Sequence, residues 1–283
     1  MGDVFTGSHA VRSGQLSAYQ LRSQYRALYP DVYVPALIEP SLITRTVGAW
    51  LWSEKRAVVA GLAAAALHGA QWIDDDECVE LVWRNPHAPE GVQTRNERLA
   101  DDEITRVDGL AVTTPARTAY DLGRRLPRSE AIARLDALMY ATPFASEDVL
   151  LLAKRHRGAR GLRRLRTVLP LVDGGAASPR ESWLRTLFVD AGLPRPTTQV
   201  PVVEARGRLV RMLDMGWEDF MVAAEYDGDQ HRTNRQQYVK DIRTLAKVER
   251  LGWQVVRVVK EDRPDEVVAR ARAALIRRGY RDI

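Results

Sequence analysis

Between Val210 and His231 the chain reads VRMLDMGWEDFMVAAEYDGDQH, and few folds can accommodate that stretch. Val210 to Met215 and Phe220 to Asp227 read as two strands, joined by a turn at Gly216, Trp217, Glu218 and Asp219. Gly228 breaks the second strand, because a residue without Cβ suits a sharp exit. Within this hairpin Asp214 interrupts an apolar strand. Glu225 and Asp227 share one face of the next strand, since side chains alternate with a period of two. A carboxylate is costly to bury unless it is paired or holds a cation. Two readings follow: the acids lie at a sheet rim against nearby arginines, or they converge on a cleft where a divalent metal relieves their repulsion. Three acids at this spacing favour convergence.

Composition narrows the class. A chain of 283 residues with 45% hydrophobic and 28% charged content predicts one or two globular domains rather than a disordered polymer. No apolar run reaches the roughly 18 residues a membrane span needs, so no membrane partner is expected. The N-terminal MGDVFTGSHAVRSGQ lacks the basic-then-apolar layout of a secretory signal, which predicts a cytoplasmic protein. Cys78, the lone cysteine, excludes an internal disulfide and any multi-thiolate zinc site. A net charge of +5 and a pI near 9.5 favour a polyanionic partner such as DNA, although abundant arginine and alanine also suit a G+C-rich genome.

Along the chain, residues 1–16 show no pattern and are expected to be loose. Ser17 caps a short helix that runs into an Asp31–Pro35 strand. With Arg22 and Arg26 exposed, residues 1–40 read as a remnant of a winged helix-turn-helix, too short for the usual three helices. Leu42 to Ala70 reads as helical and buried. His68, with no second histidine three or four residues away, reads as structural. Cys78–Trp83 and Leu110–Thr113 read as strands. Helices follow over Pro115–Arg125, Ser129–Tyr140 and Ser146–Arg155. The basic run from Lys154 to Arg166 continues as a helix from about Ala159, with Leu162, Leu165, Val168 and Leu169 on one stripe. Its outward Arg163 and Arg164 suit a solvated face or a phosphate-tracking one. Residues 171–178 read as a linker between a domain at 41–172 and another at 178–283.

Asp31-Val-Tyr-Val-Pro35, Leu62-Ala-Ala-Ala-Ala-Leu-His-Gly69 and Val112-Thr-Thr-Pro-Ala-Arg-Thr-Ala-Tyr-Asp-Leu122 carry a likeness. Over about residues 10–150 the chain resembles the type IV abortive-infection antitoxin family. That resemblance implies a mainly helical α+β domain at 41–172 and, as partner, a toxin or other protein.

The C-terminal part opens on Ser178-Pro179-Arg180-Glu181, a serine cap with proline at the first helical position. The element order reads α-β-β-β-α-β-α, with the long helix at Asn234–Leu251. Three strands in a meander plus one crossover require a mixed sheet. The whole chain is therefore expected to be α/β, or α+β overall. This order, with Ser178–Glu181, Leu213-Asp214, Ala224-Glu-Tyr-Asp-Gly228, His231, Asp241-Ile-Arg243, Leu245 and Gly252–Arg257, resembles the restriction-endonuclease-like PD-(D/E)xK superfamily. The nearest likeness is to uncharacterised bacterial domains related to very-short-patch-repair endonucleases.

The resemblance implies Mg²⁺ (or Mn²⁺) held by Asp214, Glu225 and Glu181, activating a water for phosphodiester hydrolysis. Asp227 stands where the superfamily has lysine; it can ligate metal or take a proton, and His231 is the natural substitute for proton transfer. Asp241 is expected to face the sheet, in an ion pair with an arginine such as Arg257 or near the cleft. Arg232, Arg235, Arg243 and Arg250 remain for phosphate contacts. The leading expectation is a Mg²⁺-dependent DNA endonuclease; the alternative is a non-catalytic DNA-binding transcriptional regulator or antitoxin with a degenerate nuclease domain.

Overall fold

The computed structural model describes residues 4–227 and 235–281, with the main chain alone at 235–240 and 242. The chain is α+β and divides into two units, Met1–Val172 and Asp173–Ile283. Among the described residues no helix is long and apolar enough to cross a membrane.

The first unit begins with order where the sequence predicts none. Phe5–Thr6 is a strand (β1) and Gly7–Arg12 a helix (α1), followed by α2 (Ala18–Gln24), β2 (Tyr25–Tyr29) and β3 (Val32–Pro35). β1 pairs antiparallel with β3, which pairs with β2. Phe5 packs edge-on against Tyr25 at 5.0 Å, and a Cβ on Gly7 would collide with the Tyr33 ring. Two-residue strands carry no periodicity, which is why this contact is invisible in sequence. α2 is capped reciprocally by Ser17 and Gln20, and none of its residues is buried.

The helix expected across Leu42–Ala70 is instead three elements: α3 (Leu42–Trp52), β4 (Val58–Ala60) and α4 (Gly61–Leu67). Glu54 and Lys55 adopt positive φ (56° and 64°), which stops α3. The β-branched Val58 and Val59 then enter a five-stranded sheet at its middle. With β5 (Val79–Val82), β6 (Val92–Arg95), β7 (Ile104–Val107) and β8 (Leu110–Thr113), the order is β6-β5-β4-β8-β7. α3 and α4 bury Leu42, Ala49, Ala63 and Ala64 with Leu81 and Val112 of this sheet. His68 hydrogen-bonds the Thr113 carbonyl at 2.8 Å, a structural role. α5 (Pro115–Arg125), α6 (Arg128–Ala141), α7 (Ser146–Arg155) and α8 (Leu162–Val168) form a second core around Tyr120, Leu135, Leu152 and Leu165.

The second unit runs α9 (Pro179–Asp190), β9 (Thr197–Val203), β10 (Leu209–Trp217), β11 (Val222–Tyr226), α10 (Arg235–Arg250), β12 (Gln254–Val258) and α11 (Pro264–Arg277). The sheet order is β12-β11-β10-β9, antiparallel except for the β11–β12 pair, which α10 joins as a parallel crossover. Gly216 and Trp217, expected in the turn, extend β10. The reversal falls on a 3-10 turn at Glu218–Phe220 and on Met221 at φ 51°. One sheet face packs Leu184 and Phe188 of α9 and Val267, Ala271 and Leu275 of α11. A smaller cluster gathers Val200, Val202, Leu213 and Ala223 with Val248 of α10.

Candidate functional site

The hairpin acids reach adjacent strands, and each has an oxygen engaged within the protein. Glu225, buried on β11, accepts from Arg211 Nε at 2.7 Å. Burial pushes its carboxyl above the usual range, and the Arg211 guanidinium offsets only part of that. Asp214 Oδ2 accepts the Tyr226 backbone N–H at 2.8 Å. Asp227 pairs with Arg257 of the parallel neighbour β12. Asp241 does not meet Arg257; Arg211 Nη1 lies 3.6 Å from its Oδ1, because Arg257 is taken by Asp227.

Glu181 is bound to its own helix start. Its Oε1 accepts from Ser178 Oγ at 2.9 Å, and its Oε2 accepts from the Ala177 N–H at 2.9 Å and from Gln199 Nε2 at 3.3 Å. Burial raises its carboxyl too. Asp214, Glu225 and Glu181 thus each have at least one oxygen engaged within the protein. Among the described residues no group of three or more histidine, cysteine or acidic side chains is arranged to hold a metal ion.

His231 and Arg232 lie outside the described residues, as does the side chain of Arg235. Arg243 and Arg163 are exposed. Arg164, exposed as well, donates from Nη1 to the carbonyls of Arg125 and Leu126 at 3.0 and 2.9 Å, closing the end of α5.

A denser constellation, absent from the sequence reading, lies in the first unit. α5 carries Arg117, Asp121, Arg124 and Arg125, and helical spacing sets the first three on one face. Arg117, fully buried, forks to Asp121 (2.9 Å), to Glu97 (2.6 Å) and to Glu103. Arg124 bonds Glu97 and Asp121 at 2.8 Å each, and Arg125 bonds Glu97 at 2.7 Å and Glu80 at 3.2 Å. Arg95 also holds Glu80, while Arg155 bridges Asp102 (2.8 Å) and Glu103 (2.9 Å). Five acids thus meet five arginines. Burial alone would raise Glu97, yet Arg125, Arg124 and Arg117 outweigh it and bring its carboxyl to about 2.

A cleft of about 520 Å³ opens beside this network, lined among others by Arg98, Arg117, Tyr120, Arg124, Arg157 and Arg160. Gly161, at φ 85°, shapes the turn that carries Arg160; a Cβ there would strike the Arg124 carbonyl. The signal available in sequence was the Arg117-x-x-x-Asp121-x-x-Arg124-Arg125 spacing, which places a buried ion-pair ladder on one helix face.

Comparison with known proteins adds two findings. Residues 57–171 match the AbiEi antitoxin C-terminal domain family, and the cleft lies within that span. Two mycobacterial relatives are each 32% identical over 236 residues, covering 81% of this chain and 84% of theirs. They are "Uncharacterized protein MT2308" and "Uncharacterized protein Rv2248", from Mycobacterium tuberculosis strains CDC 1551 / Oshkosh and ATCC 25618 / H37Rv.

Proposed function

We propose that this chain, which belongs to the family of those mycobacterial proteins and matches the AbiEi antitoxin C-terminal domain over residues 57–171, is a DNA-binding regulator of the antitoxin kind. The antitoxin match over residues 57–171 is the observation that carries this reading. On this reading the α-β-β-β-α-β-α scaffold of the second unit serves binding rather than turnover, with Glu225 and Asp227 holding Arg211 and Arg257 in place.

DNA contact is assigned to the N-terminal segment and to exposed basic side chains. α2 presents Tyr19, Arg22 and Ser23 to solvent beside the β2–β3 hairpin, the layout of a helix with a wing. Arg163 and Arg243 supply phosphate contacts that carry no sequence information. Such contacts make affinity fall as salt rises, through counterion release. The second partner is a toxin protein, whose neutralisation is the usual task of an antitoxin.

The full-length protein, with a duplex from upstream of its own gene and plasmid DNA plus Mg²⁺, tests the proposal. Salt-sensitive duplex binding, unchanged in Glu225→Ala, with no Mg²⁺-dependent nicking, is expected. Nicking by the wild type that disappears in Glu225→Ala would restore the endonuclease reading. Absence of DNA binding at physiological salt would leave only the toxin-neutralising role.

A further inference from the structure

We propose that the cleft between Glu97–Arg98 and the Arg155–Arg160 turn binds the phosphate of a nucleotide, either free or at the 5′ end of a strand. Three independent features converge on that ligand. The proposal concerns a site in the first unit alone and stands whether or not the chain binds duplex DNA.

The first feature is charge left over. Within the network each arginine has its acid, but Arg98, Arg157 and Arg160 line the cleft in addition, all exposed. Among the described residues none of these three makes an ion pair, and Arg157 spends only its Nε, on the Lys154 carbonyl. Guanidinium forks match carboxylates and phosphates alike, but three at one rim suit the three oxygens and higher charge of a terminal phosphate.

The second feature is an unmet hydrogen bond. Tyr120 lines the cleft at 1% exposure, and its hydroxyl is buried with no partner among the described residues. Leaving such a group unpaired costs about 1–3 kcal/mol, so native structures rarely do it without a use. Its ring is held by Arg117 and Arg124, whose guanidinium carbons lie 5.2 and 5.1 Å from the ring centre. Burial raises the phenol, which keeps it protonated and able to donate.

Size is the third. A cleft of about 520 Å³ falls within the roughly 300–1,000 Å³ of small-molecule sites. A bare phosphate would leave most of it to water, and the lining offers almost no apolar side chain for a greasy ligand. A nucleotide fits, with its phosphate between the Arg98 and Arg160 forks and the Tyr120 hydroxyl donating to a phosphoryl oxygen.

Isothermal titration of the full-length protein with AMP, ATP, inorganic phosphate and citrate tests this, alongside a short single strand with 5′-phosphate or 5′-hydroxyl. Saturable one-to-one binding of AMP or ATP, or of the 5′-phosphorylated strand over its hydroxyl twin, is expected; which of the two wins identifies the source. The Arg98→Ala/Arg160→Ala pair, exposed and so expected to keep the wild-type melting temperature, should weaken binding at least tenfold. Tyr120→Phe, which keeps the ring, should weaken it roughly tenfold, as befits one hydrogen bond to a charged acceptor. Citrate binding as tightly as the nucleotides would overturn the proposal. So would equal affinity in the arginine pair variant, or the absence of binding by every phosphorylated probe.

Discussion

Arg211 Nε lies 2.7 Å from Glu225 Oε1, so the most buried acid of the β10–β11 hairpin is held by a guanidinium from the strand beside it. The same arginine reaches Asp241 of α10 at 3.6 Å and so links helix to sheet. Removing Glu225 would leave Arg211 with the weaker partner alone. Because Arg211 is partly exposed, Glu225→Ala is expected to destabilise the protein by only about 1–2 kcal/mol, less than a fully buried pair would lose. Urea unfolding reads the change, and duplex affinity should stay at the wild-type value.

Arg117 holds Glu97, Glu103 and Asp121 at once, with its own side chain out of solvent. Arg117→Ala leaves Asp121 to Arg124 and Arg125, and Glu103 to Arg155 and His156, so both acids lose their most buried cation but not every partner. A loss of about 2–4 kcal/mol is expected, a large share of a domain's stability. Arg117→Lys keeps the charge but not the three-way fork, so it should fall between alanine and wild type. Thermal melts of the three proteins under one buffer give the ranking.

How far the fold could be read from sequence follows the strength of local signals. Thr114-Pro115 and Ser178-Pro179 mark helix starts by cap and proline, and both helices begin where those pairs predict. The β10–β11 hairpin and the parallel β11–β12 crossover follow from alternation and connection length. Val58 and Val59 read as helix because a short strand between two apolar helices has no period of its own; its state is set by β5 and β8 on either side. The candidate site was harder. Asp214, Glu225 and Asp227 are conspicuous as acids, but the arginines that hold Glu225 and Asp227 lie 14 and 30 residues away in sequence. Glu97, Glu103 and Arg155 come from a loop, a single turn and a helix end, and only the fold brings them to α5.

Acid should loosen the first unit in a defined window. Glu97 titrates near 2 in the folded protein and near 4.5 when unfolded, so its folded-state value is depressed. The stabilisation it gives is complete above about 4.5 and is lost as pH falls toward about 2. Glu103, also held low against burial by His156, Arg117 and Arg155, acts in the same direction. Urea midpoints should drop steeply across that window. Glu97→Gln, which cannot titrate, should start lower at neutral pH and drop less; an equal slope would remove Glu97 from the acid response.

Glu181 separates a helix-start role from a metal role. Its carboxyl is raised by burial and has no cationic partner among its hydrogen bonds, which come from Ala177, Ser178 and Gln199. A raised folded value means that folding disfavours the charged form: the penalty is absent below about 4.5 and grows as pH rises through the folded value. Glutamine keeps an acceptor for the Ala177 N–H, and the Ser178 hydroxyl can rotate to receive its amide. Glu181→Gln should therefore match or slightly exceed wild-type stability at neutral pH, whereas Glu181→Ala should cost about 1–2 kcal/mol through the lost hydrogen bonds at the helix start. The same melts repeated with Mn²⁺ discriminate the alternatives. Equal midpoints with and without the ion, in wild type and Glu181→Gln alike, are what a purely structural glutamate gives. A Mn²⁺-dependent rise confined to the wild type would put the carboxylate in a metal shell.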